Sequence, residues 1–122
     1  MDNRYRKDAG DQGEADALRH LQASGLTLIT RNYRCPGGEL DLVMLDQQTL
    51  VFVEVRFRRD RNFGGALASI NTRKQQRLLL AAQRFLQTHR DYQKLRARFD
   101  VVSLEGNAGT PTLQWIKDAF CG

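Results

Sequence analysis

The strongest apolar runs in the chain are two short segments, Leu40 to Leu45 and Leu50 to Val55, separated by Asp46-Gln47-Gln48-Thr49. Both are rich in aliphatic, β-branched and aromatic residues and short enough for strands, and the polar break suits a tight hairpin loop. Pairing Leu45 with Leu50 sets a register in which 44 meets 51, 43 meets 52, 42 meets 53 and 41 meets 54. Leu42, Met44, Val51, Val53 and Val55 then share one face, and Val43, Leu45 and Phe52 the other. Strands apolar on both faces belong in the middle of a sheet with helices packed against it.

The remaining pattern supplies those helices. Asp11 to about Ser24 reads as a helix, with Asp11 as N-cap and Gly25 as its stop. Glu14, Ala17, Leu18 and Leu21 fall on one stripe at helical spacing. Leu26 to Tyr33 reads as a strand, and the turn Cys35-Pro36-Gly37-Gly38 leads from it into the central hairpin. Asn71 or Thr72 can cap a long helix to about His89, whose apolar stripe is Leu78, Ala81, Ala82, Phe85 and Leu86. Arg98 to Leu104 predicts a further strand, Gly106 to Gly109 a turn, and Thr112 to Ile116 a last short strand carrying Trp115. Residues 1–10 are expected as a flexible tail and 11–122 as a single domain. The order α-β-β-β-α-β plus a terminal strand predicts an α/β fold with a mixed central sheet flanked by helices.

Composition sharpens this picture in three respects. A net charge of +5 favours a polyanionic partner, nucleic acid above all. No stretch is long and apolar enough to span a bilayer, and the polar first residues lack the apolar core of a secretion signal, so the expected location is cytoplasmic. Cys35 and Cys121 match no zinc spacing, and His20 and His89 stand isolated at helical positions, so all four are expected outside any metal centre.

Candidate chemistry concentrates in the hairpin. In the register above, Asp41 and Glu54 face each other, and opposed residues of an antiparallel pair place their Cβ atoms about 5 Å apart. Two carboxylates in an apolar setting repel, and a divalent cation such as Mg²⁺ reverses that penalty, being held by one or two carboxylates plus water and phosphate oxygens. The alternative is a structural pair satisfied by Arg56 or by backbone donors. Arg56, two residues beyond Glu54, points to the same face and offers a fixed charge to a phosphate. Glu39 lies opposite Arg56 in this register, which predicts a cross-strand ion pair. Glu14 sits at the edge of the buried stripe of its helix, either as a capping-box acid or as a site residue.

Arg56, Arg58, Arg59 and Arg61, interleaved with Phe57 and Phe63, form a basic run leaving the hairpin, suited to phosphate contact and base stacking. Lys74 and Arg77 are neighbours on the second helix and could add phosphate contacts, although a solvated basic face is the more common explanation of such residues. Asp100 reads as structural.

Asp41, the hairpin and then Glu54-Val55-Arg56 resemble the signature of the PD-(D/E)xK nucleases, whose fold is that of the type II restriction endonucleases. The fuller wording, Gly38 to Leu42 and Val51 to Arg56, resembles the YraN-like family of small bacterial proteins of uncharacterised role, over about Gly13 to Val102. Archaeal Holliday junction resolvases look like more distant relatives. The resemblance implies a restriction-endonuclease-like core, with Asp41 and Glu54 binding Mg²⁺ or Mn²⁺. It implies Glu14 as a third carboxylate, Glu39 as a further site acid and Lys74 as a site lysine. DNA or RNA is the implied partner, and the resolvase likeness implies a homodimer. Arg56 stands where the signature has lysine, and arginine keeps the charge but cannot act as a general base. The reading is therefore a nucleic-acid-binding protein capable of metal-dependent phosphodiester cleavage. The alternatives are a non-catalytic nucleic-acid module of the same fold and a protein-interaction or scaffold domain.

Overall fold

The computed structural model describes residues 3–58, 70–106 and 112–120, with side chains over 12–57 in the first segment. Helix α1 (Asn3–Ala23) is followed by strands β1 (Thr27–Cys35), β2 (Gly38–Asp46) and β3 (Thr49–Arg58), helix α2 (Thr72–Thr88), a 3₁₀ turn (Arg90–Tyr92), and strands β4 (Arg96–Glu105) and β5 (Thr112–Phe120). The five strands form one sheet in the order β1-β2-β3-β4-β5. β3 and β4 are parallel, and every other pair is antiparallel. An α/β fold with a mixed sheet and flanking helices is what the hydropathy pattern predicts.

The hairpin register is also as expected, running from Asp46↔Thr49 through Leu45↔Leu50 to Leu42↔Val53. Because Asp46 and Thr49 pair, the turn shrinks to Gln47-Gln48, with Gln47 at φ 57°. The turn between β1 and β2 is similarly tight. Cys35 pairs with Gly38, leaving Pro36-Gly37 at its tip, and Gly37 takes φ 88°, the left-handed geometry a proline-glycine turn requires.

Alternation along β3 and along β2 from Leu42 onward sorts the core into two layers, and Leu40 joins the layer of Val43. Leu40, Val43, Leu50 and Phe52 pack with Leu78, Ala81, Ala82 and Phe85 of α2. Leu42, Met44, Val51 and Val53 pack with Ala17, Leu18 and Leu21 of α1. The two helices therefore cover opposite faces of the sheet. Gly38 lets α2 come in close, since a Cβ there would lie 2.4 Å from the Arg77 carbonyl oxygen.

Two boundaries differ from expectation. α1 begins at Asn3, so residues 3–10 continue the helix and Asp11 is internal rather than its cap. No proline interrupts this stretch, and each added turn gains a backbone bond once the helix is nucleated. β5 runs on to Phe120, past a bulge in which Val101 pairs with Ile116 while Phe99 pairs with Phe120. Asn71 caps α2 as expected, its side chain accepting a bond from the Lys74 amide at 2.9 Å.

Candidate metal and nucleic-acid site

The site forms where the hairpin ladder stops. Paired positions end at Leu42↔Val53, so Asp41 and Glu54 are not ladder partners among the described residues. Instead the Val55 amide donates to Asp41 Oδ2 at 2.8 Å. The carboxylate takes the place of a strand carbonyl, which fixes one of its oxygens and allows the strands to separate.

Glu54 follows the even positions of β3, alongside Leu50 and Phe52, and so faces α2. It is only 5% exposed. Lys74, at the start of α2, brings Nζ to 3.5 Å from Glu54 Oε1, and Arg56 brings Nη1 to 3.6 Å. Burial and then the charge of Asp41 push Glu54 up to about 7, against the pull of Lys74 and Arg56. Asp41 is also raised, chiefly by burial, with the Val55 amide and Lys74 opposing. The result is an acidic pair that resists full ionisation, with two cations on its rim.

Other predicted residues distribute unevenly. Glu39 pairs with Arg34 across β1 at 3.5 Å rather than being held in the predicted ladder position opposite Arg56. The reason is that the β2–β3 ladder has ended before Glu39, whereas β1 still runs beside it. Its charge nevertheless acts on Asp41. Glu14 lies on α1, which covers the opposite face, and its Oε1 is shielded from solvent. Among the described residues, no group of three or more His, Cys, Asp or Glu side chains could hold a metal ion. A cation at this site would rest on Asp41 and Glu54, with solvent and phosphate oxygens completing its shell. That donor set fits Mg²⁺ or Mn²⁺, which accept few protein carboxylates. Arg77 is exposed on α2. Arg59 and Arg61 lie outside the described residues, as does the Arg58 side chain.

Residue patterns alone placed neither of two contacts. One is Lys74 meeting Glu54, which needs α2 to fold back over β3; only the family resemblance implied Lys74 as a site lysine. The other is the identity of the donor to Asp41, the Val55 amide, where the sequence offered backbone donors without saying which. Of the histidines, His89 is not a plain surface residue. It closes α2, with Nδ1 2.9 Å from the Phe85 carbonyl oxygen and its ring stacked on Phe85 at 4.0 Å.

Fold and site together describe an α/β protein with an acidic pair, buried Glu54 and half-buried Asp41, at the open end of its central hairpin. The chain belongs to the uncharacterised protein family UPF0102, which it matches over residues 13–104. A UPF0102 protein of Pseudomonas putida is 58% identical over 114 residues, covering 92% of this chain and 91% of its own. One from Stutzerimonas stutzeri is 54% identical over 112 residues, covering 92% and 93%. One from Pseudomonas savastanoi pv. phaseolicola is 51% identical over 121 residues, covering 98% of each.

Proposed function

We propose that this chain is a nucleic-acid-binding protein that cleaves phosphodiesters with a divalent metal ion, on a restriction-endonuclease-like core. The observation that carries the reading is the Asp41–Glu54 pair, with Glu54 pushed up to about 7 and cations at 3.5 and 3.6 Å. Raised carboxylates beside charge partners are enriched at functional sites. The succession α-β-β-β-α-β, with β4 parallel to β3, supports the fold assignment and the distant likeness to junction resolvases. DNA is the favoured polymer, RNA the alternative, and a homodimer the favoured assembly. Among the described residues no helix is long and apolar enough to cross a membrane, and we assign the protein to the cytoplasm.

In this reading Asp41 and Glu54 hold the cation, with Glu39 close enough to add negative charge. A bound Mg²⁺ or Mn²⁺ supplies Lewis-acid activation of water and neutralisation of phosphate charge. Asp41 is already oriented by the Val55 amide, so little ordering is needed. Glu54 gives up its shared proton when positive charge arrives. Arg56 and Lys74 face the phosphate and stabilise charge that develops on it.

Titration of Mg²⁺ and Mn²⁺ into the purified protein, followed by calorimetry and thermal shift, tests the reading. Wild type should be stabilised, and Asp41→Asn and Glu54→Gln should each abolish the response. A wild type indifferent to both metals would remove the catalytic half of the proposal. Arg56 favours a second reading, a binding module without chemistry, because the guanidinium cannot take a proton. Arg56→Lys separates the two: cleavage gained by the variant alone makes the arginine the defect, and cleavage by wild type removes the second reading.

A further inference from the structure

A second feature lies along α2, against the β1–β2 turn. Arg73, Gln76, Arg77 and Leu80 recur at helical spacing and, with Gly37 of the β1–β2 turn, line an open groove of about 440 Å³. That volume is within the range of ligand pockets, about 300–1,000 Å³. Leu80 is 40% exposed, the one large apolar side chain so open among the described residues. α2 carries Arg73, Lys74, Arg77 and Arg84 and no acidic residue. An ordinary solvated helix face mixes both signs, and cations in a first turn oppose the helix dipole. Among the described residues neither Arg73 nor Arg77 has an ion-pair partner.

We propose that this groove is a nucleotide subsite, taking one unstacked nucleotide of a strand that leads away from the acidic pair. The inference rests on the nucleic-acid reading above and specifies its substrate. Arg73 and Arg77 hold the phosphate. Leu80 supplies an apolar surface for the base or sugar, and the Gln76 amide offers a donor and an acceptor to a base edge. A duplex backbone would need only the arginines, so the apolar and amide lining points to a base that is not paired. The groove and the site share the first turn of α2: Arg73 of the groove precedes Lys74, whose Nζ is 3.5 Å from Glu54. Gly37 of the groove and Asp41 are four residues apart, at most about 14 Å. The turn borders the groove closely, since a Cβ on Gly37 would lie 2.7 Å from Leu80 Cδ2.

Fluorescence anisotropy with an end-labelled oligothymidylate and an end-labelled duplex, in chelator to prevent cleavage, tests the proposal. Arg73→Ala/Arg77→Ala should weaken both polymers and shallow the salt dependence by about one to two phosphate contacts. Leu80→Ala and Gln76→Ala should each weaken single-strand binding about tenfold and leave the duplex nearly unchanged. Circular dichroism melts check that these surface variants remain folded. Single-strand binding unaffected by Leu80→Ala and Gln76→Ala, or equal losses on both polymers, would overturn the subsite and leave the nucleic-acid reading standing. No binding to either polymer by wild type would overturn both.

Discussion

Asp100 and Glu54 lie one register position apart on neighbouring strands, since Val53 pairs with Asp100 and Glu54 with Val101. Both are buried, at 0% and 5% exposure. Asp100 is saturated with donors. Arg98 reaches it through Nε at 3.0 Å and Nη2 at 3.2 Å, Trp115 Nε1 donates at 2.9 Å, and the Asp118 amide donates at 2.9 Å. Arg98 is held in turn by Asp46 at 2.9 Å. This network ties β5 to β4 across its bulge, where Asp118 takes φ 53°. Glu54, in contrast, has cations at 3.5 and 3.6 Å, and burial together with an acidic neighbour pushes it up to about 7. A buried carboxylate with four donors is structural, whereas one facing a like charge is the kind of group that the proposed cation would relieve.

Breaking the saturated site should have the larger effect. Asp100→Ala leaves the Arg98 guanidinium with Asp46 alone, strands the Trp115 indole and the Asp118 amide, and should cost about 3–5 kcal/mol of stability in chemical denaturation. Asp100→Asn keeps one acceptor oxygen and should cost less.

Glu54 should behave in the opposite sense. Its folded value is raised above the ordinary 4.5 to about 7, so the folded protein holds the proton more tightly than the unfolded chain. Its contribution is fully present below pH 4.5 and is lost as pH rises through about 7, a fall of up to about 3 kcal/mol. Denaturation at a series of pH values should show this fall in wild type and a flatter curve in Glu54→Gln. An equally steep curve in the variant would mean that Glu54 is not the titrating group.

A smaller effect separates the two roles of Asp41. Asp41→Ala removes the acceptor for the Val55 amide and should cost about 1–3 kcal/mol, while Asp41→Asn keeps an acceptor and should cost less. Both remove the charge that raises Glu54, so both should move the stability fall to lower pH. The smallest effect is expected at the bulge. Asp118→Gly relieves the positive φ while keeping the amide that Asp100 binds, and thermal unfolding should show a change of no more than about 1 kcal/mol, stabilising in sign.

The hairpin, its register and the two-sided burial of its strands were legible because consecutive apolar residues fix both faces of a strand at once. Asp41, Glu54 and Arg56 stood out for the same reason, as charges interrupting that pattern. The alternation also predicted which residues would share a face, as with Val43 and Phe52 on one side and Met44 and Val51 on the other, while the structure decided which helix covers each. The α2 cap was readable from Asn71, a local preference that needs no tertiary partner.

The tertiary structure decided where the ladder ends, that Asp41 binds the Val55 amide, and that Glu39 turns to Arg34. It also brought Lys74 to Glu54, 20 positions away in the chain, and gathered Arg98, Asp46, Trp115 and Asp118 around Asp100. The physical reason is common to all of them. A periodic pattern reports which side of its own element a residue occupies. The donors and charges it meets there depend on where other elements come to rest, and thus on packing contacts that only the folded chain makes.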